Sequence, residues 1–522
     1  MMKYTKTPKT IKFSQIESDK KLTPSNYNIV PIKNKNTKLV KELLIDYIIG
    51  NDIGSDNYLN FDSGFNFIRT KAVQSYSFLP SVNTYTESQP IFPITYENYI
   101  ESYAKKEVEF KLNEGDILIV KDSNVGEVVY VNEDLNQYIL SGGLVKLVFD
   151  EELKYYIFAM MKSDFFKEQL YLLTPKGSTL KHAKTLWLDL KIPFPNQNRN
   201  NIIDYISLLV KAIINRENAI QYKYHKIMDI IHEEISNNQK EENFNFNFPK
   251  FSEINNKKRL DASIYSDYFK NEEFLITNYK HGFKYIEDWN FEISRGQNLQ
   301  FSAIGDSIYS DTQKKGFYKC IKPKDISIYG TVLEYEYLGN PNDLKTLNEG
   351  DIIFGAEGFE KGRSLIIFDD DNIITNIHGI TLTHKDSNLT ESIFIKCFLD
   401  YLRKIGLIDI CATGGNGGSI AIPYLKQLPF PIFPDEKQNE IKKDYYNEYY
   451  YTSELNLSNF QKLDTEMINI SGIYQLDLQK NMMITELNNL RDLIINDFDL
   501  PSEKDFFNFI NKFSTNNNIK HI

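Results

Sequence analysis

The hexapeptide LNEGDI occurs at residues 112–117 and again at residues 347–352. A duplicated motif constrains a fold strongly when its surroundings are duplicated too, because one architecture must then serve twice. Here the surroundings repeat. The first copy runs into GDILIVKDSNVGEVVYV, then GGLVKLVF, then LWLDLKIPFP; the second runs into GDIIFGAEGFEKGRSLIIF, then HGITLTH, then YLKQLPFP. Asp116 and Pro193 lie 77 positions apart, Asp351 and Pro429 lie 78 apart. Upstream, GFNFIRTKAV at residues 64–73 is echoed by GFYKCIKPKDI at residues 316–326. The pattern predicts two copies of one globular unit.

Within each copy, short runs rich in β-branched residues alternate with Gly, Asn and Asp turns. DILIV, EVVYV and LVKLVF in the first copy, and DIIF, SLIIF and GITLT in the second, read as strands. Helical periodicity follows each copy. Ile203, Ile206, Val210, Ile213, Glu217, Ile220, Tyr224, Ile227 and Ile231 alternate by three and four, with Glu217 the one polar interruption. That is an a/d stripe of a long helix with a coiled-coil seam. It ends near the polar linker SNNQKEENFNFNFPK. After the second copy PDEKQNEIKKDYYNEYY opens a helix, and Leu476, Met483, Leu487, Leu490 and Ile494 form another stripe. The stretch near 452–474 fits these heptads poorly and reads as an insertion. The expected fold is α+β. It has a first globular domain at 1–196, a long helix at 197–238, a second globular domain at 239–435 and a second helical region at 436–522, the helices pairing as an antiparallel coiled coil.

Composition narrows the class. At 522 residues, with 41% apolar and 14% aromatic residues, the chain can bury large cores. No apolar run reaches the ~18 residues of a membrane span, and the basic start MMKYTKTPKTIKFSQ lacks the apolar core of a secretory signal. Cys320, Cys397 and Cys411 show no metal-ligand spacing, which fits a reduced cytoplasm. The net charge of −11 weighs mildly against nucleic acid. Where the charges sit matters more than their sum.

The paired GDI strands, the paired PFP exits into helices, PDEKQNEI at residues 434–441 and RLDASIYSDYF at residues 259–269 together resemble the specificity subunit of type I restriction–modification enzymes. The first exit, PFPNQNRNNI, keeps only Gln197 of the helix-opening motif. The resemblance covers nearly the whole chain apart from about the first thirty residues and 452–474. It implies a non-catalytic subunit of a phage-defence complex. Two target-recognition domains would each read half of a split double-stranded DNA site, and two helices would act as spacers that dock methyltransferase subunits, two of them, and a restriction/translocase subunit. It implies no cofactor on this chain; S-adenosylmethionine, ATP and magnesium would belong to the partners. Two readings from other classes stay open: a stand-alone restriction or modification enzyme with an unrecognised catalytic domain, and an interaction module of a defence complex that binds no DNA.

Catalytic motifs are missing on inspection. GNPND at residues 339–343 lacks the second proline and the aromatic of an adenine methyltransferase motif, and TGGNGGS at residues 413–419 lacks the Gly-Lys-Ser/Thr of a phosphate loop. The latter is either a turn before a strand or a place where backbone amides and Asn416 approach phosphate. Asp435, Glu440 and Lys442 fall on a helix start, where acidic residues suit the dipole. FDDDN at residues 368–372 reads as a turn, and His225 and His232 as a solvated helix face. Candidate DNA contacts are the basic and polar clusters. In the first copy these are Arg69, Lys71, Lys176, Ser178, Thr179, Lys181 and Lys184. In the second they are Lys314, Lys315, Lys319, Lys322, Lys324, Thr413 and Asn416. Cations neutralise phosphates; hydroxyls and amides bond phosphate or base edges.

Overall fold

The computed structural model describes residues 2–19, 27–81, 90–104, 111–175, 181–368, 372–414 and 417–514. They fall into two compact units. One takes Met1–Asn218, Tyr451–Thr465 and Gln479–Thr515; the other takes Ala219–Tyr450, Glu466–Leu478 and Asn516–Ile522.

The first unit contains strands β1 (Thr37–Leu39), β2 (Leu44–Ile49), β3 (Asn66–Ile68), β4 (Ile91–Pro93), β5 (Ile117–Val120), β6 (Val128–Tyr130), β7 (Tyr138–Leu140), β8 (Leu144–Phe149) and β9 (Lys191–Pro193). They form an antiparallel sheet in the order β2-β8-β5-β6, a small sheet β4-β3-β7, and a pair β1-β9. The second contains β10 (Phe283–Tyr285), β11 (Phe291–Arg295), β12 (Ile308–Ser310), β13 (Tyr318–Cys320), β14 (Glu336–Gly339), β15 (Ile352–Gly355), β16 (Ser364–Ile366), β17 (Ile373–Ile374), β18 (Gly379–His384) and β19 (Pro429–Pro431). Their order is β11-β18-β15-β16, β12-β14-β13-β17 and β10-β19. The two plans match strand for strand in the main sheet. The small sheets match in their distinctive feature, a parallel pair, β3 with β7 and β13 with β17. All six strands read from the sequence are present, and the upstream echo falls on β3 and β13, each preceded by a glycine at positive φ, Gly64 and Gly316.

The repeated hexapeptide has a local physical cause. Gly115 and Gly350 sit at φ 100° and 87°, where a side chain would be strained. The next residue closes the turn with its carboxylate: Asp116 accepts the Asn113 N–H at 2.7 Å, and Asp351 accepts that of Asn348 at 2.9 Å. The same aspartates accept, at their carbonyls, the N–H of Val131 and Ile367. Leu112 and Leu347 are buried in the apolar clusters beneath.

Every residue of the first helical stripe is buried, Glu217 included, on the helix Arg199–Asn237. At 1.5 Å per residue this helix is about 58 Å long. Glu217 is satisfied within the first unit, where its carboxylate accepts the hydroxyl of Ser77 and the N–H of Phe78. Its neighbour Arg216, fully buried, donates to Asp464 at 2.6 Å, Tyr451 at 2.9 Å, Gln479 at 3.3 Å and the Ala212 carbonyl at 3.1 Å. Tyr205 bonds Glu486. Partners of the helix therefore fall in number as its own residues rise.

The second copy is not followed by one comparable helix. Helix Asp435–Tyr445 stops, helix Phe460–Ile470 intervenes, and helix Ile473–Asn496 carries the second stripe, all five of whose residues are buried. The stretch that breaks the heptads is itself packed: Leu455, Phe460, Leu463 and Met467 are buried, and it supplies Asp464 to Arg216. A buried charge that loses its partner costs more than the pair contributes. Asp464→Ala is expected to destabilise the first unit by about 3–5 kcal/mol, and the double change Arg216→Met with Asp464→Leu to recover most of that loss. Denaturant unfolding of the full chain checks both; equal losses in the two variants would remove the unpaired charge as the cause.

Candidate nucleic-acid interface

Two surface loci recur in both units, and each is placed by the strands just described. The first follows β3 and β13. The chain leaves β3 through Arg69 into a one-turn 3₁₀ helix, Thr70–Ala72, and leaves β13 through Ile321 and Lys322 into another, Pro323–Asp325. In each turn one cation is held and one reaches out. Arg69 lies over the ring of Phe92 on β4, 5.3 Å from its centroid, while Lys71 is exposed. Lys322 lies over Tyr309 of β12 and is ion-paired to Glu336 of β14, while Lys324 is exposed. A guanidinium held near a ring by cation–π attraction keeps its N–H donors available to an anion. Lys322 is less suited, because Glu336 already takes its charge.

The second locus follows β5 and β15. There the segment just past the strand pairs with the loop that leads to the exit strand. Asp122 bridges His182 in the first unit, and Glu357 bridges Ser419 in the second. The Ser123 N–H donates to the Lys181 carbonyl, and the Gly358 N–H to the Gly418 carbonyl. The loops singled out in the two copies thus occupy one place. Asp122 Oδ1 lies 2.7 Å from His182 Nδ1, and its Oδ2 lies 2.7 Å from Lys121 Nζ. Glu357 Oε2 lies 2.5 Å from His378 Nδ1, and its Oε1 3.4 Å from Arg295 Nη1.

In the first unit the two loci touch. A Cβ at Gly143 would stand 2.7 Å from Thr70 Cγ2 and 3.6 Å from Asp122 Cβ, so only a glycine leaves room. The turn Arg69–Thr70–Lys71 therefore sits beside Asp122 and His182. Lys181 lies over the ring of Tyr171, and burial draws its pKa down. Lys184 is exposed in a left-handed turn, φ 47°. In the second unit Lys314 and Lys315 are exposed at the turn before β13, around a shallow hollow of about 390 Å³ that Asn372 also lines. Lys319 is buried on β13, over the ring of Tyr335, and does not face solvent with them. Thr413 is exposed and pairs through its backbone with Ser419. Lys176, Ser178, Thr179 and Asn416 lie outside the described residues, as do residues 369–371 of the FDDDN turn. Sequence reading passed over Lys121, His182, Arg295 and His378. None of these four recurs at a matching position; only their acidic partners repeat, Asp122 and Glu357 both standing seven residues after the glycine of GDI.

Among the described residues no cluster of three or more His, Cys, Asp or Glu could hold a metal ion, and no helix is long and apolar enough to cross a membrane. His225 and His232 lie on the long helix. His232 bonds the Tyr401 hydroxyl at 3.1 Å, and burial lowers the pKa of His225.

No family model and no curated protein matches the chain. Among solved structures, the chain is similar to the S subunit of the type I restriction–modification system of M. genitalium, at 13% identity and a TM-score of 0.38, over 89% of this chain and 96% of that one. A structure described as the basis of complex assembly and conformational transition of the type I R-M system is similar at 13% identity and a TM-score of 0.26, over 90% and 98%. The HsdS subunit from Thermoanaerobacter tengcongensis is similar at 12% identity and a TM-score of 0.24, over 88% and 95%. Identity and superposition are both low, so function has to be read from the repeat and its surfaces.

The segment that follows the turn of Arg69 and Lys71 is tied to β6 by Lys162, whose ammonium donates to the carbonyls of Gln74, Ser77 and Val128 at 2.9, 2.5 and 2.8 Å. Burial nevertheless pushes its pKa down to about 7, against the favourable charges of Glu127 and Glu217. With the folded pKa below the unfolded value of 10.5, the unfolded chain binds more protons between about pH 7 and 10.5. Stability of the first unit should therefore rise with pH across that window, by up to about 1.4 kcal/mol per pH unit from this group. Melting curves of the parent and of Lys162→Met, taken from pH 7 to 10, check this. The parent should gain more than the variant; parallel profiles would assign the charge no role.

Proposed function

We propose that this chain is the DNA-specificity subunit of a type I restriction–modification complex. The observation that carries the proposal is the repetition of one unit with the same two surface loci at equivalent places. Two copies of a reader suit a DNA site split into two halves. Each copy brings cations on the turn after its first inner strand, Arg69 and Lys71 in one, Lys322 and Lys324 in the other. Lys181 and Lys184 in one and Lys314 and Lys315 in the other extend those surfaces. Such residues position a reader on phosphates, and specificity comes from neighbouring groups that reach base edges.

In this reading residues 1–196 and 239–435 are the recognition domains. Residues 197–238 and 436–522 hold the spacer helices, with 452–474 as an added segment, and the helices pair antiparallel. The bonds from Tyr205 to Glu486 and from Arg216 to Gln479 support that pairing within the first unit. The chain itself is non-catalytic. Methylation and cleavage belong to two methyltransferase subunits and a restriction/translocase subunit, which would hold S-adenosylmethionine, ATP and magnesium, in the cytoplasm. The pairing of Glu336 with Lys322 is the observation that favours the alternative of an interaction module without DNA. Salt-sensitive DNA binding by the assembled complex separates the two.

Two outcomes follow. Lys181→Ala with Lys184→Ala should weaken binding across sequences and flatten the dependence of affinity on salt by roughly one unit for each phosphate left without its cation. Binding equal to the parent at moderate salt would leave these lysines as ordinary surface. Inserting one heptad into each of the helices Arg199–Asn237 and Ile473–Asn496 keeps the apolar seam in register. It lengthens the spacer by about 10 Å, or about three base pairs. Sequencing of methylated sites in cells carrying the complex should show the same half-sites with a longer gap; an unchanged gap in an active complex rejects the helices as the ruler.

A further inference from the structure

The carboxylates Asp122 and Glu357 occupy equivalent positions, but their histidines do not. His182 comes from the loop before the exit strand β9. His378 comes from the turn before β18, where the first unit has Gly143: Val120 pairs with Leu144 and Gly355 with Gly379, so the residues just before are equivalent. Duplication alone would have copied the histidine with its loop. The two units instead reach the same carboxylate–imidazole pair by different routes. Packing does not account for it either, because the histidine side chains are 57% and 55% exposed. Exposed ion pairs of this kind add little to stability.

The pair has a defined chemistry. An ionised carboxylate only accepts, so Nδ1 of each histidine carries a proton, and Nε2 is the ring nitrogen that the carboxylate does not engage. The second carboxylate oxygen is taken by Lys121 in one unit and faces Arg295 in the other. An uncompensated carboxylate beside Arg69 and Lys71 would repel a phosphate backbone. A compensated one holding an imidazole suits a position facing bases, between cations that face phosphates.

We propose that His182 and His378 each read a base in the half-site faced by their own unit, accepting at Nε2 an exocyclic amino hydrogen of adenine or cytosine in the major groove. This rests on the DNA reading above. Asp122 and Glu357 act as positioning residues that set the tautomer.

The test uses the full chain with its partner subunits in cells, and the sequence and occupancy of methylated sites. His182→Ala and His378→Ala should each keep the gap and one half-site, and lose roughly tenfold discrimination at one base pair of the other half. The two variants should affect opposite halves. Parental discrimination in both variants overturns the inference while leaving the DNA reading intact; a parental complex that marks no split motif overturns that reading instead. Should an alanine variant abolish methylation altogether, His182→Gln and His378→Gln decide: a change of preference confined to one half supports base reading, and loss of both halves assigns the histidine to structure.

Discussion

Each unit depends on one chain reversal. The strand at the heart of each main sheet begins with a residue at positive φ and a carboxylate that closes the turn on the amide three residues back. A slip of one residue there would turn every side chain of β5 or β15 to the opposite face. Gly115 with Asp116, and Gly350 with Asp351, satisfy both needs, so the hexapeptide stayed constant while its surroundings diverged. Divergence is visible one strand away. Lys146, opposite Leu118, forms a buried ion pair with Asp116 at 3.0 Å. At the equivalent register, opposite Ile353, stands Thr381, which bonds Ser294 instead.

A second constraint sits in the long helix. Its apolar stripe is mostly isoleucine, a surface that packs almost as well after sliding by a heptad. Arg216 and Glu217 remove that freedom. They are adjacent in sequence, point at different partners, and both are buried. Only one register gives Arg216 its Asp464, Tyr451 and Gln479 while giving Glu217 the Ser77 hydroxyl and the Phe78 amide. A buried ion pair contributes little net stability beside an apolar contact of the same volume, but a wrong register would leave two charges unpaired.

Much of this was legible in the sequence because it is periodic or repeated. The strands of the main sheets alternate or run apolar, the exits carry proline, and the helix shows its stripe. The small sheets were not legible as sheets: β3 and β7 are three residues each and pair in parallel across some seventy positions, with no local signal. Site residues fared unevenly for the same reason. A lysine is visible in sequence, but its fate is set by distant neighbours. Lys319 falls on an inward position of a strand, and Lys322 meets a glutamate fourteen residues on. Arg69 meets the ring of Phe92. The acid–imidazole pairs escaped notice because their members are individually ordinary and meet only in the folded chain, Asp122 and His182 through a bridge between loops and Glu357 and His378 at the end of the β15–β18 ladder. The second helical region was harder to read because a packed helix, Phe460–Ile470, interrupts its heptads.

The pairing of β1 with β9 and of β10 with β19 closes the stretches 37–193 and 283–431 on themselves, with Thr37 opposite Pro193 and Phe283 opposite Pro431. A body whose two ends meet is a cassette. It can be exchanged for another of the same kind provided that the newcomer rebuilds the seam with the long helix, where Glu217 meets Ser77 and Phe78 in the first unit and Tyr224 meets Arg403 in the second. Novelty in such a chain can then arrive by substitution of whole modules as well as by point changes, and the duplication itself is the simplest instance.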